Sequence, residues 1–431
     1  MKLLLGKCEE VLKELPDNSV DSVVTDPPYG LSFMGKGWDY DVPSVEQWKE
    51  VYRVLKPGGH LLSFASTRTQ HRMTVNIEDA GFDIRDMIAW IYGSGFPKSL
   101  NIGKSVDEKL GNKREVIGTD VNYGVTTKEE GKNAFGDYAG EWDITKGDSE
   151  WEGWGTALKP ALEPITVARK PLSEGTVVEN VLKHGTGGIN IDESRIPTEE
   201  DQRRPSKGGE NGLVGSGTFK IRERTVDEQI KQPGRFPANL IHDGSSEVTE
   251  LFPDNAGAFA PVKSTSSGIS NGIYGDFDHK GDDGASFRND EGSAARFFYC
   301  AKASKSDRNE GCEDLPKKAG GSNAKGYTKD VERGLDRNRP VSNHHPTVKP
   351  TPLMEYLVKL VTPKGGTVLD PFMGSGSTGK ACKRLDFDFI GIEMNEDYMN
   401  IAKARIERAM KDGEVYIPPK QREITNKFFD I

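Results

Sequence analysis

The sequence is poor in cysteine, and Cys8, Cys300, Cys312 and Cys382 are too far apart to form a Cys-x-x-Cys pair. This excludes a disulfide-stabilised scaffold and a cysteine-ligated zinc site. Long hydrophobic runs are also missing, since no stretch approaches the roughly 20 apolar residues that a bilayer span needs. Residues 1–6 are too short for the apolar part of a secretory signal. We therefore expect a soluble, cytoplasmic protein with no membrane partner.

Positive charge is not in excess either, because 58 Lys and Arg residues face 67 Asp and Glu residues, for a net charge of −9. This balance excludes a uniformly basic nucleic-acid-binding surface but allows a local basic groove on an acidic body. Two sections lean basic. Residues 203–235 contain eight Lys and Arg against four Asp and Glu, and residues 302–349 contain eleven against seven.

Alternating strand and helix patterns are confined to the two ends of the chain. Near the N-terminus, the β-branched run at 20–25 predicts a strand, the spacing at 48–55 a helix, and residues 60–64 another strand. The last 85 or so residues repeat this order. Neither end has enough strands for a doubly wound sheet, so we expect both ends to build one domain. Of the 49 glycines, 32 lie in residues 111–340, which predicts a loop-rich insert between the ends.

A glycine-rich turn, Asp370-Pro371-Phe372-Met373-Gly374-Ser375-Gly376, follows a predicted strand near the C-terminus. Such glycines allow a tight turn and close approach of a ligand. Glu393 lies nineteen residues after Gly374, where an acidic residue holds a ribose diol in nucleotide-binding units. A plain structural turn with a surface glutamate is the alternative. A phosphate-binding loop is disfavoured, because Ala381 stands where Ser or Thr would bind Mg²⁺.

The tetrapeptide Asp26-Pro27-Pro28-Tyr29 follows the predicted strand at 20–25. Two prolines fix successive φ angles and remove two backbone donors. The segment therefore offers acceptors, the Asp26 carboxylate and the Pro27 carbonyl, beside the aromatic face of Tyr29. This set suits an exocyclic NH₂ group on a flat heterocycle, which donates two hydrogens and stacks. A rigid turn after a strand is the alternative interpretation.

The tetrapeptide resembles the catalytic motif of the amino-methylating DNA methyltransferases, and the string at 370–376 resembles their S-adenosylmethionine motif. The order of the two motifs, with a long insert between them, is similar to the permuted β class. His345-Pro346-Thr347-Val348-Lys349-Pro350 matches the segment that in this class precedes the cofactor strand and packs along the methionine part of the ligand. The resemblance covers roughly residues 3–92 and 344–406. One departure is Gly6-Lys7-Cys8, where the family often has Gly-Asp near the cofactor adenine.

The resemblance implies an α/β fold with a doubly wound, mostly parallel seven-stranded sheet (a Rossmann-like methyltransferase fold), and S-adenosylmethionine as the cofactor. The implied catalytic half spans 1–95, the target-recognition insert 96–343, the cofactor-binding half 344–423 and a tail 424–431. The implied catalytic residues are Asp26, Pro27, Pro28 and Tyr29. The implied cofactor-binding residues are Asp370, Pro371, Phe372, Gly374, Gly376, Glu393, His345, Thr347, Lys349 and Pro350. The implied reaction needs no metal ion, so we expect no metal site.

The implied partner is double-stranded DNA, whose target base is flipped out of the duplex into the pocket. Basic side chains of the insert are expected to contact phosphates or bases: Arg203, Arg204, Arg222, Arg224, Lys302, Lys305, Arg308, Arg337 and Arg339. For any single one of them, a solvated surface charge is the more frequent role. A homodimer and a cognate restriction endonuclease are left open as further partners.

The first residue of the catalytic motif bears on the target base. In the family that the sequence resembles, Asp at this position favours adenine N6, whereas Ser more often marks cytosine N4, which is the closest alternative. Enzymes that methylate a protein glutamine or an RNA base more often have Asn at this position. A DNA-binding protein with a vestigial cofactor fold would not need intact Asp26, Tyr29, Gly374, Gly376 and Glu393. We therefore expect a site-specific adenine DNA methyltransferase.

Overall fold

A computed structural model describes residues 1–31, 39–95, 99–120, 142–198, 234–254, 292–301, 305–319 and 340–409. The strands are β1 Lys2–Leu5, β2 Val20–Thr25, β3 Leu55–Phe64, β4 Asp83–Ile91, β5 Glu115–Asp120, β6 Trp142–Lys146, β7 Leu162–Arg169, β8 Leu240–His242, β9 Tyr299–Cys300, β10 Lys318–Ala319, β11 Pro340–Val341, β12 Thr367–Asp370 and β13 Asp388–Glu393. The α-helices are α1 Cys8–Val11, α2 Val45–Val54, α3 Gln70–Asp79, α4 Ile102–Leu110, α5 Val177–His184, α6 Ser246–Thr249, α7 Lys305–Asn309, α8 Thr351–Val361, α9 Ser377–Leu385 and α10 Glu396–Arg408. Within these ranges, no helix has both the length and the apolar character needed to cross a bilayer.

Among the described residues, one central sheet contains nine strands in the order β1-β13-β12-β2-β3-β7-β4-β8-β9. Its strand pairs are parallel except those made by β7, which runs antiparallel between β3 and β4. β12 from the C-terminal part of the chain pairs with β2 from the N-terminal part, with Val368 opposite Ser22. The predicted mostly parallel α/β sheet, built by both ends of the chain, is therefore confirmed.

The structure corrects the predicted strand count from seven to nine within the part of the chain that it describes, because β8 and β9 extend the sheet beyond β4. Both strands, and β7 as well, come from residues 96–343, so that range is not purely an insert. β8 pairs with β4 in parallel and thereby covers hydrogen-bonding groups that an edge strand leaves open. A 3₁₀ helix, Ala294–Phe297, precedes β9, which contains only two residues.

Apolar residues pack on both faces of the sheet, because successive strand residues point to opposite sides. Val24, Leu62 and Val368 belong to one buried cluster, which includes Leu357 of α8, whereas Val23, Leu61 and Leu369 belong to a second, which includes Trp48 of α2. The near-continuous hydrophobic character of β2 and β3 follows from this burial on both faces.

The helical connections diverge between β2 and β12. After β2 the chain leads through α2 to β3 on one side, and after β12 it leads through α9 to β13 on the other. In open α/β sheets, ligands bind in the crevice at the carboxyl ends of such strands. The Thr25 hydroxyl at the end of β2 donates to Asp370 at the end of β12 at 2.6 Å, across 345 positions of sequence.

Candidate active site

One cavity of about 1410 Å³ lies at the carboxyl ends of β2, β12 and β13. It is lined by all four residues of the tetrapeptide, Asp26, Pro27, Pro28 and Tyr29. It is also lined by Asp370, Pro371, Phe372, Gly374, Glu393, His345, Thr347 and Lys349. Gly376 and Pro350 are not among its lining residues. The two sequence motifs therefore open into one shared space.

The turn that follows β2 is fixed by a buried carboxylate, that of Asp39. Asp39 is 2% exposed and accepts hydrogen bonds from the backbone N–H groups of Tyr29 at 2.6 Å, Gly30 at 3.0 Å and Leu31 at 3.2 Å. The Thr69 hydroxyl donates to the Tyr29 carbonyl at 2.7 Å. Since the two prolines have no N–H to anchor, these bonds hold the end of the turn and orient the Tyr29 side chain.

The Asp26 carboxylate is bound by two side chains of the site. The Tyr29 hydroxyl donates to Oδ1 at 2.7 Å, and the Lys349 ammonium donates to Oδ2 at 2.6 Å. Lys349 is 6% exposed, and its Nζ lies 4.8 Å from the centre of the Phe64 ring. Burial lowers the pKa of Lys349, but the charges and hydrogen bonds of Asp26 and Glu163 outweigh burial and raise it above its usual value. Lys349 is therefore an ammonium at neutral pH.

A second carboxylate, that of Glu163, completes this group. Its Oε2 lies 3.0 Å from the Tyr29 hydroxyl and 3.2 Å from Nζ of Lys349, while the Tyr92 hydroxyl donates to its Oε1 at 3.3 Å. Burial raises the pKa of Tyr29 well above its usual value, and the charges of Asp26 and Glu163 raise it further, so Tyr29 is a neutral phenol. We refer to Asp26, Tyr29, Glu163 and Lys349 together as the Asp26 cluster.

The two glycines of the turn after β12 have different surroundings. Gly374 has φ +52°, and a Cβ there would lie 2.7 Å from Nε2 of His345. Gly376 has φ +76° at the N-cap of α9, and a Cβ there would lie 2.9 Å from the Ala402 side chain of α10. Both positions require glycine. Gly374 serves the close approach of His345 at the cavity, whereas Gly376 serves helix packing.

The Asp370 carboxylate joins the two motifs to each other. It accepts hydrogen bonds from the hydroxyls of Thr25 at 2.6 Å and Thr378 at 2.7 Å, and from the Phe372 N–H at 3.2 Å. Burial raises the pKa of Asp370 to about 6, although these three donors act in the opposite direction. Because the carboxylate is hydrogen-bonded to these three groups of the protein, Asp370 fixes the geometry of the cavity edge.

Glu393 ends β13 and is 8% exposed. Its Oε2 accepts the N–H of Gly374 at 2.9 Å, and its Oε1 accepts the N–H of Asn395 at 2.7 Å. Burial raises the pKa of Glu393, and the backbone donors offset part of this effect. Each carboxylate oxygen retains a further lone pair. The side chain is therefore fixed in a position to accept a pair of neighbouring hydroxyls.

The N6_N4_Mtase model of DNA methylases matches residues 20–244 and 278–404 of the chain. The chain belongs to this family. It is 48% identical to the type II methyltransferase M2.DpnII of Streptococcus pneumoniae over 63 residues, which are 15% of this chain and only 24% of that relative. It is 23% identical to the type II methyltransferase M.HindIII of Haemophilus influenzae over 438 residues, covering 92% of this chain and 91% of that one. The crystal structure of the M1.HpyAVI-SAM complex is similar with a TM-score of 0.38 and 16% identity, covering 94% of this chain and 98% of that one.

Most of the expected DNA-contact residues lie outside the described residues: Arg203, Arg204, Arg222, Arg224, Lys302, Arg337 and Arg339. Lys305 begins α7, and its side chain is also outside the description. Arg308, in the same helix, donates to the His345 carbonyl at 2.7 Å, and burial lowers its pKa. Arg308 therefore supports the segment that carries His345, and DNA contact by these nine residues stays a prediction.

Sequence reasoning missed Glu163, the second residue of β7, which lies opposite Trp90 of β4. Because β7 is antiparallel, its beginning rather than its end lies at the carboxyl ends of β3 and β4, where the cavity is. The available signal is faint. Residues 161–170 contain no glycine within an otherwise glycine-rich section, and Ile165 to Ala168 form an apolar and β-branched run.

The departure near the N-terminus also falls on the cavity. Gly6, Lys7 and Cys8 line it together with Glu9 and Gln47. The Gln47 side-chain amide donates to the Glu9 carboxylate at 3.2 Å. In place of the aspartate frequent in the family, this chain therefore presents a glutamate–glutamine pair at the cavity.

Proposed function

We propose that this DNA methylase transfers a methyl group from S-adenosylmethionine to the exocyclic amine of a flipped DNA base, with adenine N6 as the target. The observation that carries the proposal is the single cavity lined by Asp26 and Tyr29 and also by Glu393. Acceptors suited to an amine and acceptors suited to a ribose thus share one space. Family membership and the near full-length similarity to M.HindIII support DNA as the substrate.

The residues around Glu393 fit S-adenosylmethionine, which supplies an electrophilic methyl group when bound. The two Glu393 oxygens accept the ribose hydroxyls. Phe372 packs edge-on against Trp48 with ring centroids 5.9 Å apart, and it offers the adenine an aromatic wall near Glu9. His345 and Thr347 are assigned to the methionine part. Lys349, expected there from the sequence, is bonded to Asp26 and Glu163, so we assign it to the base instead.

The tetrapeptide holds the target amine. An exocyclic amine is a poor nucleophile, because its lone pair is delocalised into the ring. Each Asp26 oxygen accepts one hydrogen bond within the protein and retains a lone pair. The Asp26 carboxylate can therefore accept one N–H of the target amine, and the Pro27 carbonyl accepts the other N–H. Two such acceptors favour a pyramidal nitrogen whose lone pair points at the methyl donor. Catalysis then comes from positioning and electrostatics, without a covalent enzyme intermediate.

The base identity is tested by sequencing DNA from a methylation-deficient host that expresses the protein. We expect N6-methyladenine at one fixed sequence, and an Asp26→Ala variant expressed in the same way is the matched control. N4-methylcytosine would establish the alternative target, and unmodified DNA from a host with folded protein would refute the proposal. A cytoplasmic location, a homodimer and a partner endonuclease are separate predictions that this experiment leaves untouched.

The Tyr29→Ala variant is expected to bind target-site DNA more weakly by about 1 to 3 kcal/mol, because the flipped base loses its stacking surface. Tyr29→Phe retains the ring and should retain most of this binding. The measurement is titration of a duplex that carries 2-aminopurine at the target position, whose fluorescence rises when the base leaves the stack. Tyr40→Ala is the control, since Tyr40 is 80% exposed and does not line the cavity. Equal binding by Tyr29→Ala and wild type would contradict the stacking role.

A further inference from the structure

The hydrogen bonds of Lys349 are matched to its three N–H groups. Nζ lies 2.6 Å from Asp26 Oδ2, 3.2 Å from Glu163 Oε2 and 3.2 Å from the Tyr29 hydroxyl oxygen. An ammonium has three donors, so each of these contacts receives one. The Tyr29 hydroxyl then has a single proton to share between Asp26 Oδ1 at 2.7 Å and Glu163 Oε2 at 3.0 Å. These bonds link two carboxylates, one phenol and one ammonium to one another.

Glu163 gives the Asp26 cluster its net negative charge. Nζ of Lys349 lies 2.6 Å from Oδ2 of Asp26. This ion pair by itself cancels the charge of the carboxylate that holds the base amine. Glu163, the second carboxylate, returns the cluster to a net charge of −1. Among the other nearby groups, burial lowers the pKa of His345 to about 4, so that imidazole is neutral near pH 7. Asp370 has its own donors and is the same in all variants described below.

We propose that Glu163 is a positioning residue of the methyl transfer, whose charge, acting with Lys349, gives the Asp26 cluster the net charge of −1 that stabilises the transition state. The inference rests on the function proposed above. In the reaction, the nitrogen lone pair forms the N–C bond, the electron pair of the S–C bond stays on sulfur, and the positive charge moves to the nitrogen. The nitrogen then loses one proton to Asp26. A neutral cluster would leave the charge on the amine without compensation in a partly dehydrated site.

A purely structural role for Glu163 makes a different prediction. If Glu163 only orients Tyr29 and Lys349 by hydrogen bonding, glutamine would retain an acceptor of the same shape. Glu163→Gln would then resemble wild type, and only Glu163→Ala would be impaired. If the charge matters, Glu163→Gln and Glu163→Ala are impaired alike.

The experiment is a charge series at this cluster. Glu163→Gln makes the net charge zero, Lys349→Met makes it −2, and the double variant restores −1 with both partners removed. We expect Glu163→Gln to lower kcat by about tenfold or more, with KM for DNA within about twofold of wild type. The double variant should recover most of this loss, which independent damage at two sites would not allow. Glu250→Gln is the control, because that carboxylate is exposed and does not line the cavity.

Ligand affinity gives a readout that does not depend on turnover. Sinefungin carries an ammonium in place of the sulfonium methyl, whereas S-adenosylhomocysteine is a neutral thioether. The ratio of their dissociation constants, measured by calorimetry, therefore reports the charge of the cluster. We expect the preference for sinefungin to fall by about tenfold in Glu163→Gln and to return in the double variant. Thermal unfolding of each variant establishes that it is folded.

The outcomes separate this inference from the proposed function. A wild-type protein that binds S-adenosylhomocysteine but methylates no DNA would refute the proposed function. An active wild type with a Glu163→Gln variant that matches it in kcat and in the ligand ratio would refute the inference alone. A double variant slower than both single variants would also overturn it.

Discussion

Replacing Asp26 by alanine is expected to abolish methyl transfer, a loss of at least about 100- to 1000-fold, while binding of S-adenosylhomocysteine survives. Asp26 is the acceptor that we place on the target amine, and its carboxylate lines the same cavity as Glu393, whose own hydrogen bonds come from the N–H groups of Gly374 and Asn395. Its removal also leaves the Lys349 ammonium beside the site of a developing positive charge. The substitution therefore removes the acceptor of the target amine and leaves an unfavourable charge beside it, whereas the Glu393 carboxylate that we assign to the ribose is unchanged.

Two assays check this result together: transfer of a labelled methyl group to DNA, and calorimetry with S-adenosylhomocysteine. Asp26→Asn distinguishes charge from shape, and we expect it to be nearly as inactive, because an amide accepts through one oxygen only. Asp79→Ala is the matched control, since Asp79 is an exposed aspartate at the end of α3. Near-normal turnover by a folded Asp26→Ala protein would refute the assignment of the tetrapeptide to the target amine.

Glu393→Ala is expected to weaken S-adenosylhomocysteine binding by about 100-fold or more. Two hydrogen bonds to a charged acceptor, each contributing about 1.5 to 3 kcal/mol, would be lost with the carboxylate. The substitution also leaves the N–H groups of Gly374 and Asn395 without this acceptor, which loosens the glycine turn. The dissociation constant measured by calorimetry is the direct test.

A matched pair of variants refines this test. Glu393→Gln retains the side-chain shape but has a single oxygen, so we expect an intermediate dissociation constant. Glu407→Gln is the control, because Glu407 is 66% exposed on α10. At saturating cofactor, Glu393 variants should methylate DNA at a rate far closer to wild type than Asp26→Ala does. An unchanged dissociation constant for Glu393→Ala would show that the ribose is held elsewhere.

The cavity-lining residues that the sequence singled out are those with local signatures. The tetrapeptide and the glycine turn are continuous strings, and Glu393 follows the turn at a characteristic distance. The expectation that the two ends of the chain meet also held, because strand and helix patterns at each end were too few for a separate sheet. Local periodicity and turn chemistry were sufficient for these features.

The partners within the site were not predictable in the same way. Glu163 lies in the site only because β7 runs antiparallel between β3 and β4. The sequence of the glycine-rich section does not indicate which of its strands joins the sheet. Asp39 is an unremarkable aspartate in the sequence, and its role exists only once the N–H groups of Tyr29, Gly30 and Leu31 turn towards it. Lys349 was assigned to the cofactor because of its motif, yet its ammonium lies on Asp26.

By itself, the sequence determined the two strand-to-loop turns, their chemical groups and the α/β character of the domain, because these depend on neighbouring residues. Tertiary structure alone decided the nine-stranded sheet of the described residues and the position of β7. It also decided that Gly376 serves helix packing and that the Lys349 ammonium pairs with Glu163 as well as with Asp26. The physical reason is that charge compensation in a buried site depends on which side chains come within about 3 Å of one another. That proximity is set by strand order rather than by position in the chain.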